Sequence, residues 1–212
     1  MSMSFVTDFA DLAVVLPLAV AVAIALVVAG WPRGAAAWAV VVPATLAAVL
    51  LAKMVVATCG HYMPPVLHAF RSPSGHTASA AVVYGGLLSL LLPEPPRGLR
   101  RPFAALLIAG LFAILFGDTR LALHVHSRSD VLAGGALGIA GALALARLAG
   151  PRPPGLRATI PLAAAFAIVV VFHGHHIRAE DQIDRVSRLV WPLTLCCRPA
   201  IAPALHVPVA RP

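Results

Sequence analysis

Long apolar runs separated by short polar segments make up most of the chain. The runs lie at about 10–31, 36–57, 76–92, 102–118, 130–149 and 158–173. A helix of roughly 20 apolar residues can cross a bilayer, and the third and last runs are at the short end of that range. The pattern therefore predicts an all-α fold, an integral membrane bundle of about six transmembrane helices.

We expect the six helices to form one domain over residues 1–173. Beyond it, apolar residues recur among charged ones at a helical spacing, which is typical of an amphipathic helix on a membrane surface: Ile177, Ile183, Val186 and Val190. The residues that follow are rich in proline. Residues 174–212 are therefore predicted to be an amphipathic and irregular C-terminal tail.

The positions of the arginines explain the net charge of +8 without a nucleic-acid partner. They fall mainly in alternate loops: Arg33, then Arg97, Arg100 and Arg101, then Arg147, Arg152 and Arg157. Because basic residues concentrate on the cytoplasmic side of membrane proteins, we expect these loops to be cytoplasmic and the other helix ends to face outwards. The preference for arginine and alanine is typical of a GC-rich bacterial genome, which suggests a bacterial inner membrane.

Small residues recur at four-residue spacing in the fifth run, at Gly134, Gly138 and Ala142. Such residues let two helices approach closely within a membrane. We interpret them as a packing surface rather than a functional site.

Two polar strings interrupt the apolar pattern on the predicted outer side. The first is Arg71-Ser72-Pro73-Ser74-Gly75-His76, and the second comprises Thr119-Arg120, His126 and Asp130. Ionisable side chains next to hydrocarbon are costly, so their density here indicates a functional site.

The first string lies where a helix is expected to begin. Backbone N–H groups at a helix N-terminus bind anions, Gly75 would let a phosphate approach, and Ser74 would add a hydroxyl donor. The alternative is a simple N-cap at Ser72 or Ser74 with a chance histidine at position 76.

In the second string, a carboxylate follows an imidazole by four residues. Asp130 at this spacing would orient His126 and increase its basicity, as in a catalytic triad, although an acidic residue at a helix start also serves as a cap. Arg120 supplies a planar fork suited to phosphate. Lys53, the one lysine among 16 basic residues, lies within an apolar run and would either join the site or extend to the membrane interface.

Together these motifs resemble the second and third signature motifs of the type 2 phosphatidic acid phosphatase (PAP2) superfamily. The resemblance implies that His126 is the nucleophile that forms a phosphohistidine, that Asp130 orients it, and that His76 is the general acid. It also implies that Lys53, Arg120, Ser74 and the Gly75 backbone bind the phosphoryl oxygens. No metal or other cofactor is part of this scheme.

The first family motif is incomplete in this chain. The family has Arg-Pro seven and eight residues after its lysine, where this sequence has Gly60 and His61. We expect Arg71 to replace the missing cation, and His61 is the weaker candidate. The histidines at 173, 175 and 176 are interpreted as a polar cap at the membrane interface rather than a metal site.

The resemblance implies a membrane phosphatase that acts on a lipid phosphate or diphosphate at the outer face. Candidate substrates are undecaprenyl or another polyprenyl diphosphate, phosphatidate, phosphatidylglycerol phosphate and phosphorylated lipid A. The alternatives are a lipid phosphotransferase with the same phosphohistidine and a non-catalytic multi-span transporter. The sequence leaves open the exact lipid, the oligomeric state and the role of the tail.

Overall fold

The computed structural model describes residues 3–59, 70, 72–93 and 101–177, together with 182–183, 185–186 and 189. Every regular element among these residues is helical: α1 (Met3–Asp8), α2 (Leu12–Val28), α3 (Pro32–Cys59), α4 (Gly75–Leu91), α5 (Arg101–Ala122), α6 (Arg128–Leu148) and α7 (Thr159–Phe172). Most of the predicted tail, 174–212, lies outside the described residues.

The predicted all-α bundle of about six membrane helices is confirmed. Four segments are long and apolar enough to cross a membrane: Met3–Val28, Pro32–Ala57, Arg101–Ala122 and Arg128–Leu148. Two further apolar helices are shorter, Gly75–Leu91 and Thr159–Phe172, and they correspond to the two runs predicted to be short. Many large apolar side chains on these helices are exposed, as expected for a surface that faces lipid.

Two features of the helices differ from the sequence pattern. A short helix, α1, precedes the first apolar run, and Asp11 caps α2 after it through a hydrogen bond from the Ala13 backbone N–H of 2.8 Å. Helix α5 continues four residues beyond the apolar run that ends at 118, and Arg120 lies on its last turn.

Glycines on α6 set how closely the helices pack. A Cβ atom at Gly134 would overlap the backbone carbonyl of Ser74, and one at Gly138 would overlap that of Ala78. The N-terminal turn of α4 therefore lies directly against α6 because these two positions lack side chains. The predicted packing surface thus holds together the two helices that carry the polar strings.

At one end of the bundle, arginines bind backbone carbonyls at the ends of helices. Arg101 donates to the carbonyls of Leu90 and Gly150, at 2.8 and 2.6 Å, and its guanidinium lies 5.3 Å from the centre of the Trp31 ring. Arg152 donates to the carbonyl of Leu91 at 2.6 Å. Because the last carbonyls of a helix lack intrahelical partners, these arginines satisfy groups that would otherwise be unpaired.

Candidate active site

The first polar string begins helix α4 at the opposite end of the bundle. Ser74 is the N-cap, and its Oγ accepts hydrogen bonds from the Thr77 backbone N–H at 3.4 Å and the Thr77 hydroxyl at 2.9 Å. The Ser74 backbone N–H donates to the carbonyl of Asp130 at 2.9 Å. Ser74 therefore caps α4, and the same bonds fix its hydroxyl beside Gly75 and His76.

Asp130 connects the two strings. Its carboxylate is fully buried; Oδ1 accepts from the Ser72 backbone N–H at 3.0 Å and Oδ2 accepts from the Ser127 backbone N–H at 2.9 Å. Ser127 caps α6 in return, so Asp130 completes a reciprocal capping box. Asp130 thus has the capping role considered in the sequence, and it also holds both strings in one place.

The same carboxylate faces His126. Asp130 Oδ2 lies 3.5 Å from His126 Nδ1, and this places Nε2 on the side of the ring away from Asp130. Burial lowers the pKa of His126 from its ordinary value, nearby Lys53 and Arg120 lower it further, and Asp130 opposes the shift. His126 is therefore neutral near pH 7, which is the state in which an imidazole acts as a nucleophile.

Two cations approach the histidines from separate helices. Lys53 on α3 is 5% exposed, its Nζ donates to Ser72 Oγ at 3.3 Å, and its side chain passes close to Gly75. This placement does not fit a lysine that extends to the membrane interface. Arg120 on α5 donates from one terminal nitrogen to Thr7 Oγ1 at 3.2 Å.

His76 lies among all of these groups. Arg120, Lys53 and His126 surround it with positive or potentially positive charge, and Asp11 contributes the negative charge nearby. The Asp11 Oδ2 atom is 4.0 Å from His76 Nε2. His76 and His126, which the sequence places 50 residues apart, therefore lie close enough in the fold for their charges to interact.

An apolar cavity of about 880 Å³ opens from this cluster. Lys53, Gly75 and His76 lie at its polar end, and residues of α2 and α3 line the rest, among them Leu16, Pro43, Leu46 and Leu50. A cavity with charged groups at one end and apolar side chains along its length matches the shape of an amphiphile.

The family model of the PAP2 superfamily matches residues 19–154. The chain belongs to the PAP2 superfamily. It is also similar to phosphatidylglycerophosphatase B of Bacillus subtilis (strain 168), with 38% identity over 77 residues. That match covers 35% of this chain and 38% of the relative, so the chain spans well under half of the relative's length in the alignment. No solved structure shows a significant match to the chain.

Some residues of the PAP2 motifs lie outside the described residues. These are Gly60 and His61, where the first motif departs from the family, and Arg71, the expected replacement for the missing cation. The substitution of Arg71 for that cation stays a prediction.

Two residues that contact the site, Thr7 and Asp11, were not predicted from the sequence. Both precede the segment that the PAP2 model matches. Asp11 carried a usable signal, because it is one of only eight acidic residues in the chain and lies inside the first apolar run. Thr7 carried none, since its contact with Arg120 arises only from the packing of α1 on α5.

The histidines after α7 fasten the C-terminal segment to the N-terminal one. The His173 ring packs on Phe5 and Phe9, with ring centres 4.4 and 4.5 Å apart, and His176 Nδ1 lies 3.6 Å from Asp11 Oδ2. Within the described part of the chain, no three metal-ligating side chains converge on one point. The acidic neighbours of this cluster, Asp8 and Asp11, come from the other end of the chain and were not predicted from the sequence.

Proposed function

We propose that the protein is an integral membrane phosphatase that hydrolyses a lipid phosphate or diphosphate. The observation that carries the proposal is that Lys53 and His76 line a largely apolar cavity of about 880 Å³, with His126 and Arg120 near enough to interact electrostatically with His76. Phosphoryl transfer depends mostly on positioning and on positive charge around the phosphate oxygens, and this cluster supplies both. Residues 1–173 form the phosphatase domain in this proposal, and 174–212 form a tail.

The proposed reaction has two steps. His126 Nε2 attacks phosphorus, the bond from phosphorus to the lipid oxygen breaks, and that oxygen takes the proton of protonated His76. Water then attacks the phosphohistidine and gives its proton to His76, and the phosphorus–nitrogen bond breaks to release inorganic phosphate. Asp130 stabilises the positive charge that His126 acquires in the first step.

Four groups are proposed to hold the phosphate. Lys53 and Arg120 neutralise its oxygens, the Ser74 hydroxyl donates to one of them, and the Gly75 backbone approaches closely because no side chain intervenes. Arg71 is proposed as a further cation in the place of the absent first-motif arginine. The chemistry of these groups requires no metal.

The apolar cavity favours a substrate with at least one long hydrocarbon chain. The name of the Bacillus subtilis relative makes phosphatidylglycerol phosphate a natural first substrate to test. Phosphatidate and polyprenyl diphosphates such as undecaprenyl diphosphate present the same chemistry, a terminal phosphate on an apolar chain, and belong in the same test.

The site is proposed to face the periplasm from a bacterial inner membrane. Support comes from the arginines at the other end of the bundle, such as Arg33, Arg101 and Arg152, because basic residues mark the cytoplasmic side. Cysteine labelling tests this orientation in a variant without native cysteines. We expect a cysteine at exposed His124 to react with an impermeant maleimide in spheroplasts, and one at exposed Pro154 to react only after permeabilisation. The reverse pattern would contradict the proposed orientation.

The activity is tested by release of inorganic phosphate from these lipids by the purified protein in detergent with a metal chelator. Inorganic phosphate distinguishes hydrolysis from transfer to a second lipid. We expect the wild-type protein to be active and His126→Gln to be inactive. His124→Asn is the matched control, since His124 lies in the same loop with a positive φ of 56° that asparagine tolerates. Absence of release from every lipid would contradict the proposal.

A further inference from the structure

Asp11 caps helix α2 and also makes contacts that a helix cap alone does not need. It is 7% exposed and accepts two backbone hydrogen bonds at Oδ1, from Ala13 at 2.8 Å and from Ile177 at 3.1 Å. Its other oxygen, Oδ2, faces His76 at 4.0 Å and His176 at 3.6 Å. The backbone bonds fix the carboxylate, so that Oδ2 is held toward the histidines.

The charges around His76 determine whether its imidazole can carry a proton, and the Asp11 carboxylate is one of them. A general acid must carry its proton when substrate binds, yet burial disfavours a positive charge on His76, and so do Arg120 on α5, His126 before α6 and Lys53 on α3. Asp11, next to α2, is the neighbour whose charge favours the protonated imidazole. The family motifs contain a carboxylate for His126, in Asp130, but none for His76.

We propose that Asp11 is a positioning residue for His76: it orients the imidazole and favours its protonated form, so that His76 can donate a proton to the leaving oxygen of the substrate. The inference rests on the proposed phosphatase function. It assigns a catalytic contribution to the N-terminal segment, which lies outside the part of the chain that the PAP2 model matches.

The N-terminal segment is held firmly enough for this role. The carbonyl of Ala10 accepts a hydrogen bond from Ser79 Oγ at 3.1 Å, and the carbonyl of Phe9 accepts one from the Tyr84 hydroxyl at 2.5 Å. Both donors are on α4, the helix whose first turn carries His76. Ser79 and Tyr84 follow His76 on α4 by three and eight residues, and their acceptors Ala10 and Phe9 directly precede Asp11. These bonds therefore hold Asp11 at a fixed position relative to His76.

The test compares two substrates in wild-type protein and in Asp11→Asn, which retains the helix cap. The alkoxide of a lipid phosphate is a poor leaving group that needs a proton, whereas the p-nitrophenolate of p-nitrophenyl phosphate leaves without one. For the lipid we expect kcat to fall about tenfold with KM within about twofold, and for the aryl phosphate we expect little change, because general acid catalysis matters only for the poor leaving group. A merely structural role would lower both rates equally and would overturn the proposal.

The pH dependence supplies a second readout. Protonated His76 is required, so kcat for the lipid falls on the alkaline side, and loss of the Asp11 charge should move that fall to lower pH by about one unit. Asp11→Ser, which also caps α2 but is too short to reach His76, should give the same shift. An unchanged alkaline limb in both variants would contradict the proposal.

Two controls separate this effect from others at the same place. Asp8→Asn removes a neighbouring carboxylate that lies 3.9 Å from His176 and should leave the substrate ratio and the pH profile unchanged. His176→Gln removes the other histidine at Asp11 and should also be neutral; if it reproduced Asp11→Asn, Asp11 would act by fastening the C-terminal segment. A wild-type protein without phosphatase activity would instead refute the proposed function itself.

Discussion

Basic side chains occur at both ends of the bundle, but they contact different groups at each end. At one end, Arg33, Arg101 and Arg152 donate to backbone carbonyls where helices end. At the other end, the hydrogen bonds described for Lys53 and Arg120 go to the hydroxyls of Ser72 and Thr7, beside two histidines. An arginine on a helix terminus stabilises the fold, whereas one beside an imidazole and a helix N-terminus is placed for an anion. The position of a cation in the fold, rather than its type, therefore indicates its role.

The largest expected difference between the two ends concerns Asp130. Asp130→Asn removes the charge that orients and stabilises His126 while retaining a polar side chain, and we expect kcat to fall about 10³–10⁴-fold. Steady-state phosphate release measures it. Asp118→Asn, an exposed acidic residue on α5, is the control and should retain full activity; equal losses in the two variants would contradict the assigned role of Asp130.

A smaller loss is expected for Arg120→Lys. A lysine keeps the charge but lacks the planar fork, so we expect kcat/KM for a lipid phosphate to fall about 10²–10³-fold. Arg128→Lys, an exposed change on the neighbouring helix, should have no effect. Full activity in Arg120→Lys would mean that a point charge suffices and that the guanidinium does not hold the phosphate.

The contact between α4 and α6 can be disrupted without replacing any side chain proposed to act in catalysis. In Gly134→Ala the new methyl group would overlap the Ser74 carbonyl, so the two polar strings must move apart, and we expect a loss in kcat of about 10²-fold. Gly110→Ala is the matched control, because no described atom apart from the adjacent backbone of its own helix lies within 4 Å of its Cβ position. Equal activity of the two variants would show that close packing of α4 on α6 is not required.

The pH profile tests which cations surround His126. Because the pKa of His126 is lowered from 6.5, the fall in kcat/KM on the acidic side should lie below pH 6.5. Lys53→Gln removes one of the charges that lower the pKa of His126. The acidic fall in the remaining kcat/KM of this variant should therefore move to higher pH. Arg152→Gln, at the other end of the bundle, should leave the acidic side of the kcat/KM profile unchanged. A shift in Arg152→Gln but not in Lys53→Gln would contradict the distinction between the two ends.

The smallest effect on activity is expected at the arginine end. Arg101→Gln leaves carbonyls of Leu90 and Gly150 without their donor, and we expect a loss of about 1–3 kcal/mol in stability with unchanged kcat of the folded protein. Thermal unfolding in detergent followed by circular dichroism measures this. Exposed Arg147, mutated to Gln, is the control and should unfold like the wild type; a loss of kcat in Arg101→Gln would break the distinction between the two ends.

The lengths of the apolar runs sufficed to predict the six main helices, although not α1, because a membrane span needs a minimum apolar length. The spacing of His126 and Asp130 likewise predicted that Asp130 would orient His126. Their contact forms because His126 directly precedes the N-cap Ser127, and the capping box holds the Asp130 carboxylate at the start of α6. The pairing of His76 with Asp11 could not be predicted in this way. It joins residues 65 positions apart, and its formation depends on the packing of the N-terminal segment against α4.

The central claim is that His126 forms the covalent intermediate, and rapid quenching tests it most directly. Wild-type protein would be mixed with a lipid substrate carrying a radiolabelled terminal phosphate, quenched in alkali within the first turnover, and digested for peptide mapping. The account predicts an acid-labile, base-stable label on the peptide that contains His126, absent in His126→Gln. A label on His76 or on a serine, or phosphate release without any labelled protein, would contradict it.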